Sequence, residues 1–120
     1  MPVPTPLDIA ARALQPAAGL GSALRSRFQQ GIRCSHMNPQ TRLVALTLAS
    51  LASDSGEIDS SRQPGLAGLA AATGLTPARV AVHLRVLETR GWLLPLRGAR
   101  YETAPLALAL PLYVRARQLD

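Results

Sequence analysis

Residues 64 to 94 read PGLAGLAAATGLTPARVAVHLRVLETRGWLL, and the residues that end and begin helices in this stretch constrain the fold most. Gly74 ends a first short helix, because glycine readily adopts the left-handed backbone conformation that a tight turn requires. Thr76 and Pro77 then begin a second helix, because threonine caps free N–H groups and proline suits the first helical position. The stretch therefore predicts two helices that meet at a sharp turn.

Three residues in this stretch predict how the two helices pack against each other. Ala70 allows a close crossing, Gly74 turns the chain and Val80 docks the second helix onto the first. This is the spacing of a helix-turn-helix. Val80, Leu84 and Leu87 share one face of the second helix, so we expect all three to be buried.

The flanking segments predict a further helix and a little β-structure. An Asn38-Pro39 cap should begin an apolar helix from Gln40 to Ser53, typical of a central core helix. Residues 57–59 fit one small strand, and residues 92–103 fit a β-hairpin around a glycine-containing turn. The expected fold class is mainly α with a small β-hairpin. Helix, strand, helix, turn, helix and hairpin is the order of a winged helix-turn-helix, here with an N-terminal helical extension.

Residues 38 to 103 resemble winged helix-turn-helix DNA-binding domains. The stretch LAAATGLTPARVAVHLRVLETRGWL is similar to part of the ArsR-type repressors, whose second helix typically ends in an HLRVL-like run before glycine and the wing. Together with NPQTRLVALTLASLASDSGEI, it also resembles the helix-turn-helix domain of phage and plasmid replication and regulatory proteins. The resemblance implies double-stranded DNA binding, often as a homodimer, with Thr76 to Arg90 as the recognition helix.

The chain departs from metal-sensing ArsR proteins because it has few metal ligands. Cys34 and His36 are the only close pair, and His83 is distant in sequence. Structural metal sites usually need four ligands, so we expect no metal and no cofactor. Cys34 is then most simply a small buried or interfacial thiol. A single cysteine also excludes a disulfide framework and fits a reducing cytoplasm.

The charged residues favour nucleic acid as a partner. All thirteen basic residues are arginine, against seven acidic residues, for a net charge of +6. Arginine keeps its charge and its planar donors suit phosphate and guanine. No acidic residue lies between Asp59 and Glu88, which keeps the predicted helix N-termini free of anions. Because no phosphate loop or nucleophile motif is present, we expect no enzymatic activity.

The candidate DNA contacts follow from helical periodicity and from the position of the wing. Recognition helices insert mainly their N-terminal half into the major groove, which makes Arg79 the leading candidate. A cation in the first turn is unfavourable for the helix dipole, and a phosphate or a guanine edge would offset that cost. The candidate residues are Thr76, Ala78, Arg79, Val82 and Arg85 on the recognition helix, Arg97 and Arg100 on the wing, and Arg62 before the first helix of the motif.

Two other side chains in this region are expected to be structural. His83 neighbours Leu84 on the inward side, so we expect it to be half-buried and bonded to a backbone carbonyl. Trp92, the only tryptophan, is expected to pack the wing onto the core, because duplex DNA offers no exposed base face.

Three parts of the chain are expected: an N-terminal helical arm over residues 1–37, the DNA-binding domain over 38–103 and a C-terminal extension over 104–120. In the arm we expect a first helix from Thr5 to about Leu14 and a second from Ala17 to Gln30, with Gly31 as its C-cap. The two terminal extensions suggest a homodimer. The residues expected to pair across it are Leu112, Tyr113, Val114 and Leu119 with Leu20, Leu24 and Phe28.

Three functions remain open on this pattern. The first is a dimeric transcriptional regulator, most simply a repressor that covers a promoter. The second is a plasmid or phage replication or partition accessory protein that binds repeated DNA sites. The third is a winged helix used only as a protein-interaction module, against which the basic charge argues. No membrane segment is expected, so a cytoplasmic, nucleoid-associated protein is the predicted localisation.

Overall fold

The computed structural model describes residues 16–95, 101 and 105–114, and within them the chain is mainly helical. Only two isolated antiparallel β-bridges occur among these residues, Glu57 with Ala107 and Leu93 with Leu108. The expectation of a mainly α fold is confirmed. The helices are α1 (Pro16–Cys34), α2 (Pro39–Leu51), α3 (Gly65–Thr73) and α4 (Pro77–Thr89), with a 3-10 turn at Ser60–Arg62. Residues 112–114 are also helical.

Three of the helix ends that cap residues predict, at Asn38, Gly74 and Thr76, are confirmed. Asn38 Oδ1 accepts a hydrogen bond from the N–H of Gln40 at 2.8 Å, which satisfies a free donor at the start of α2. Thr76 Oγ1 accepts one from the N–H of Arg79 at 3.2 Å at the start of α4. Gly74 has a φ of +77° and ends α3 in the left-handed conformation. The expected helix from residue 40 to 53 ends two residues early, at Leu51.

Helix α1 differs most from the sequence expectation. It runs through Gly31 to Cys34, so the expectation that Gly31 ends the helix is wrong. The reason is tertiary packing. A Cβ atom on Gly31 would lie 2.7 Å from Cη2 of Trp92, so the glycine allows the indole ring to pack directly on the helix backbone. The expected helix from Thr5 to Leu14 lies outside the described residues.

The described part of the expected N-terminal arm belongs to the core. Phe28 and Ile32 on α1 are fully buried. The Phe28 and Trp92 rings meet edge to face, with centroids 5.7 Å apart and an interplanar angle of 88°. These two residues therefore join α1 to the segment that follows α4. Other fully buried core residues are Val44, Ala45, Leu48 and Ala49 on α2, Leu69 on α3, and Val80, Leu84 and Leu87 on α4.

The chain returns to the core later than the hairpin prediction places it. The sequence predicts that the second strand of the hairpin ends at residue 103. In the structure the segment 92–94 pairs instead with residues 107–109, which we call the return segment. The N–H of Leu94 donates to Ala107 O at 3.1 Å, and the N–H of Ala109 donates to Trp92 O at 2.9 Å. Alternation of leucine and alanine buries Leu106 and Leu108, as expected for a strand with one face on the core. The compact body therefore continues past residue 103.

Within the described residues no single helix is long and apolar enough to span a membrane. Only α3 and α4 taken together reach that length, and they are bent by 101° at their turn.

Candidate nucleic-acid interface

The turn between α3 and α4 sets the direction of α4. The two helices are bent by 101°. The N–H of Gly74 donates to Ala70 O at 2.9 Å and closes the last turn of α3. Thr73 Oγ1 donates to Leu69 O at 2.6 Å and accepts from the N–H of Leu75 at 3.3 Å. Since Leu75 is partly buried against the core, both sides of the turn are held in place.

One face of α4 is buried as predicted. Val80, Leu84 and Leu87 are inaccessible to solvent, and α4 packs against both α2 and α3. A helix held along its whole buried side has a fixed orientation, so its outward side chains project from a rigid support.

The opposite face of α4 carries the predicted contact residues. Thr76, Ala78, Arg79 and Arg85 are exposed, and Val82 is 60% exposed. The hydroxyl oxygen of Thr76 caps the helix and still reaches the surface. Small side chains between two arginines leave room for a partner to approach the helix backbone closely.

The arginines of this face have no acidic partner among the described residues. The ion pair found there is between Arg25 and Asp54, whose closest atoms, Nη2 and Oδ1, are 2.8 Å apart. Arg25 also donates to Ala52 O at 3.0 Å, so it fastens α1 to the end of α2. Arg79 and Arg85 have no such structural role. Arg62, at the end of the 3-10 turn, and Arg90, which was not among the predicted contacts, are also exposed.

His83 links α4 to the first turn of α2. Its Nδ1 lies 2.8 Å from Thr41 Oγ1 and its Nε2 lies 3.2 Å from Gln40 Oε1. An amide oxygen only accepts, so Nε2 carries the proton and Nδ1 accepts from the threonine hydroxyl. The residue is more deeply buried than the half-buried position that we expect from the sequence, and the expected bond to a backbone carbonyl is wrong. Both partners are side chains that the sequence does not reveal, because no local pattern relates residues so far apart.

The surroundings of His83 favour its neutral form. Burial lowers the pKa of His83 below its ordinary value of 6.5, and the positive charge of Arg79 lowers it further. The guanidinium of Arg79 is therefore near enough to the His83 imidazole for its positive charge to act on the ring. Since His83 also bonds the exposed Gln40, the first turn of α2 borders the exposed face of α4.

Most of the segment predicted to form a wing, residues 92–103, lies outside the described residues, including both Arg97 and Arg100. Tyr101 is described, and its hydroxyl donates to Glu88 Oε1 at 2.7 Å. Burial raises the pKa of Tyr101 to about 12, assisted by this hydrogen bond and by the negative charge of Glu88. Tyr101 is therefore tied to the last turn of α4. No sequence pattern predicts this contact.

The described residues offer no metal centre. They contain no group of three or more His, Cys, Asp or Glu side chains that could hold an ion. Cys34 is exposed, so it is not buried within the described chain, and the expectation of an interfacial thiol stays a prediction. Its sulfur lies 3.6 Å from Gln30 Nε2, one turn back along α1.

Comparison of the chain with protein-family models, with characterised proteins and with solved structures finds no match.

Proposed function

We propose that the protein binds double-stranded DNA as a winged helix-turn-helix, with α4 inserted in the major groove. The observation that carries the proposal is the exposed face of α4. There Arg79 and Arg85 have no acidic partners among the described residues, on a helix buried along its other side. Arg79 lies in the first turn, within the N-terminal half that recognition helices insert, and Arg85 lies six residues further along the helix.

The dimensions and chemistry of this face suit a duplex. The 13 residues of α4 give a helix about 20 Å long, and the major groove is about 12 Å wide. Arginine binds guanine through two parallel hydrogen bonds, while Ala78 and Val82 present apolar surface suited to thymine methyl groups. Few polar side chains other than arginine face outward, so direct base reading is limited to these contacts.

Further basic residues would hold the DNA backbone. Arg62 is exposed at the end of the 3-10 turn and precedes α3, whose N-terminal dipole favours phosphate. The bond between Tyr101 and Glu88 supports a wing that stays close to α4. In this arrangement Arg97 and Arg100 contact phosphates or the minor groove, which adds affinity without base specificity.

The biological role that we propose is transcriptional regulation by a homodimer. The expected pairing between the apolar stripe of α1 and the C-terminal segment needs correction, because Phe28 and Val114 are buried within the chain. Leu112 is 79% exposed and Tyr113 is 57% exposed, so these two residues now support the dimer proposal. A two-fold dimer would present two copies of α4 to an inverted repeat.

The interface is tested by fluorescence anisotropy with a labelled duplex of random sequence. The double variant Arg79→Ala/Arg85→Ala should bind more weakly, and its affinity should depend less on salt. The log–log slope should fall by about 0.9 for each phosphate that the variant no longer neutralises. Arg33→Ala is the matched control, since Arg33 is an exposed arginine at the end of α1. Equal affinity for the wild type and the double variant would contradict the proposed interface.

The regulatory role is tested separately by mapping bound sites across the genome. A lone inverted repeat at a promoter is the expected result for a dimeric regulator. Arrays of direct repeats would instead indicate replication or partition. On a cognate site, Arg79→Ala should cost roughly 1–3 kcal/mol of binding free energy if the residue contacts a base.

A further inference from the structure

Gln40 is an exposed side chain that a buried side chain holds in place. Its Oε1 accepts a hydrogen bond from His83 Nε2 at 3.2 Å. His83 is buried, and its other ring nitrogen is bonded to the buried Thr41, so the imidazole has little freedom to rotate. The carboxamide of Gln40 is therefore oriented before any partner binds, which lowers the entropic cost of a contact through it.

The amide nitrogen of Gln40 is free to make such a contact. A carboxamide offers one oxygen acceptor and two N–H donors. His83 takes the oxygen, while Nε2 has no hydrogen-bond acceptor among the described residues. The neighbouring Asn38 and Pro39 are exposed as well, so a partner can reach this end of α2.

Gln40 borders the face of α4 that we propose to enter the major groove. Arg79 lies one helical turn before His83 on α4, and Gln40 bonds the same imidazole from α2. An α-helix with its side chains is about 10–12 Å across and the major groove is about 12 Å wide, so the helix fills the groove. A residue beside the helix then meets the sugar-phosphate backbone at the edge of the groove.

From these observations we infer that Gln40 donates a hydrogen bond through Nε2 to a phosphate oxygen of the DNA backbone. The inference rests on the proposed function and extends the interface from α4 to the first turn of α2. Glutamine is among the side chains that contact phosphate in protein–DNA complexes, and such contacts position a protein on the duplex without reading its sequence. In this arrangement His83 does not touch DNA.

The test measures binding of the full-length protein to two labelled duplexes, one rich in A·T pairs and one rich in G·C pairs, by fluorescence anisotropy. Gln40→Ala should bind both about tenfold more weakly, as expected for the loss of one hydrogen bond to a charged acceptor. Its log–log salt slope should equal that of the wild type, because a neutral side chain releases no counterions. Gln30→Ala, which removes an exposed glutamine from α1, is the matched control and should bind like the wild type.

Wild-type affinity in Gln40→Ala would overturn the inference. A loss on only one of the two duplexes would indicate a contact with a base and would overturn the assignment to phosphate.

A second variant separates a DNA contact from a purely structural role of Gln40. Gln40→Glu keeps an oxygen acceptor for His83 but replaces the donor with a negative charge, so it should bind both duplexes more weakly than Gln40→Ala does. If Gln40 only supported α4, Gln40→Glu would bind like the wild type, and that result would refute the contact.

The same measurements distinguish failure of this inference from failure of the proposed function. If Arg79→Ala/Arg85→Ala weakens binding and Gln40→Ala does not, only the contact of Gln40 is wrong. A wild-type protein without salt-dependent binding to either duplex would overturn both.

Discussion

At His83 a single side chain joins two helices through residues that are 42 and 43 positions away in sequence. The imidazole receives a hydrogen bond from Thr41 and gives one to Gln40, while its own helix carries Arg79 on the outward side. A neutral ring satisfies both partners, and both burial and the arginine charge lower the pKa of His83 and so favour that form. The position of α4 relative to α2 therefore depends on a buried polar contact as well as on apolar packing.

Thr41→Val should destabilise the protein, because valine has a similar shape but cannot donate to His83 Nδ1. Leaving a buried acceptor unpaired costs roughly 1–3 kcal/mol, and the added methyl group offsets part of that cost. We expect a loss of about 1 kcal/mol in the free energy of unfolding measured with urea. Thr47→Val is the matched control on the same helix, because the Thr47 hydroxyl bonds Leu43 O in its own helix, and it should change stability by less than about 0.5 kcal/mol. Equal losses in both variants would remove the role assigned to the Thr41 contact.

The lowered pKa of His83 predicts that the fold weakens as pH falls below 6.5. Over the interval between the folded-state pKa and 6.5, the unfolded chain binds more protons at this residue than the folded chain does. Its contribution to stability is therefore fully present above 6.5 and is lost as pH falls toward the folded-state pKa. An NMR titration of the His83 ring proton measures the pKa directly. Arg79→Ala should raise it toward 6.5, whereas Arg33→Ala should not change it, and no rise in Arg79→Ala would contradict their proximity.

Among the elements, α1 depends most on its tertiary contacts. It contains Gly31 in its interior, which lowers helix propensity by about 1 kcal/mol relative to alanine. The helix continues because Phe28 and Ile32 are buried and Trp92 packs against the glycine. The indole also follows shortly after the end of α4, so it connects α1 to that helix.

Gly31→Ala should destabilise the protein although alanine is the better helix former. The new Cβ would meet two atoms of the buried Trp92 ring, at 2.7 and 2.9 Å, and the ring has little room to move. Overpacking of this kind costs roughly 1–3 kcal/mol, which exceeds the gain in helix propensity of about 1 kcal/mol. We expect a net loss of about 1 kcal/mol in urea unfolding. Ser26→Ala at an exposed position of α1 should be neutral or slightly stabilising. A Gly31→Ala variant that is more stable than the wild type would contradict this prediction, because it would show that the Trp92 ring moves to make room for the new Cβ atom.

The elements also show which features local sequence can predict. The starts of α2 and α4 and the turn at Gly74 follow from one or two residues each, and all three are confirmed. Gly31 has the same residue type as Gly74 but a different role, since it serves a contact with Trp92 and not a turn. Local rules cannot separate these two roles, because the difference depends on a residue far along the chain.

For the molecule as a whole, the described chain builds one core from residues on both sides of the α3–α4 pair. Helix α1 packs on α2, and the return segment pairs through Leu108 with Leu93 and with the Gly56 carbonyl. The outward residues of α4 are predictable from a period of 3.6 residues. The partners of His83 and Tyr101 are not, because each depends on how separate elements dock.

Self-association of the whole molecule is expected to depend on Leu112. We expect light scattering at tens of micromolar to give about twice the chain mass of 12.7 kDa. Leu112→Glu should give the monomer mass, because burying a leucine contributes roughly 1.5–3 kcal/mol and a symmetric dimer would bury two copies of this residue. Leu43→Glu is the control, as Leu43 is a partly exposed leucine on α2 and its change should preserve the dimer. A monomeric wild type would exclude this dimer, and a dimeric Leu112→Glu variant would place the interface elsewhere.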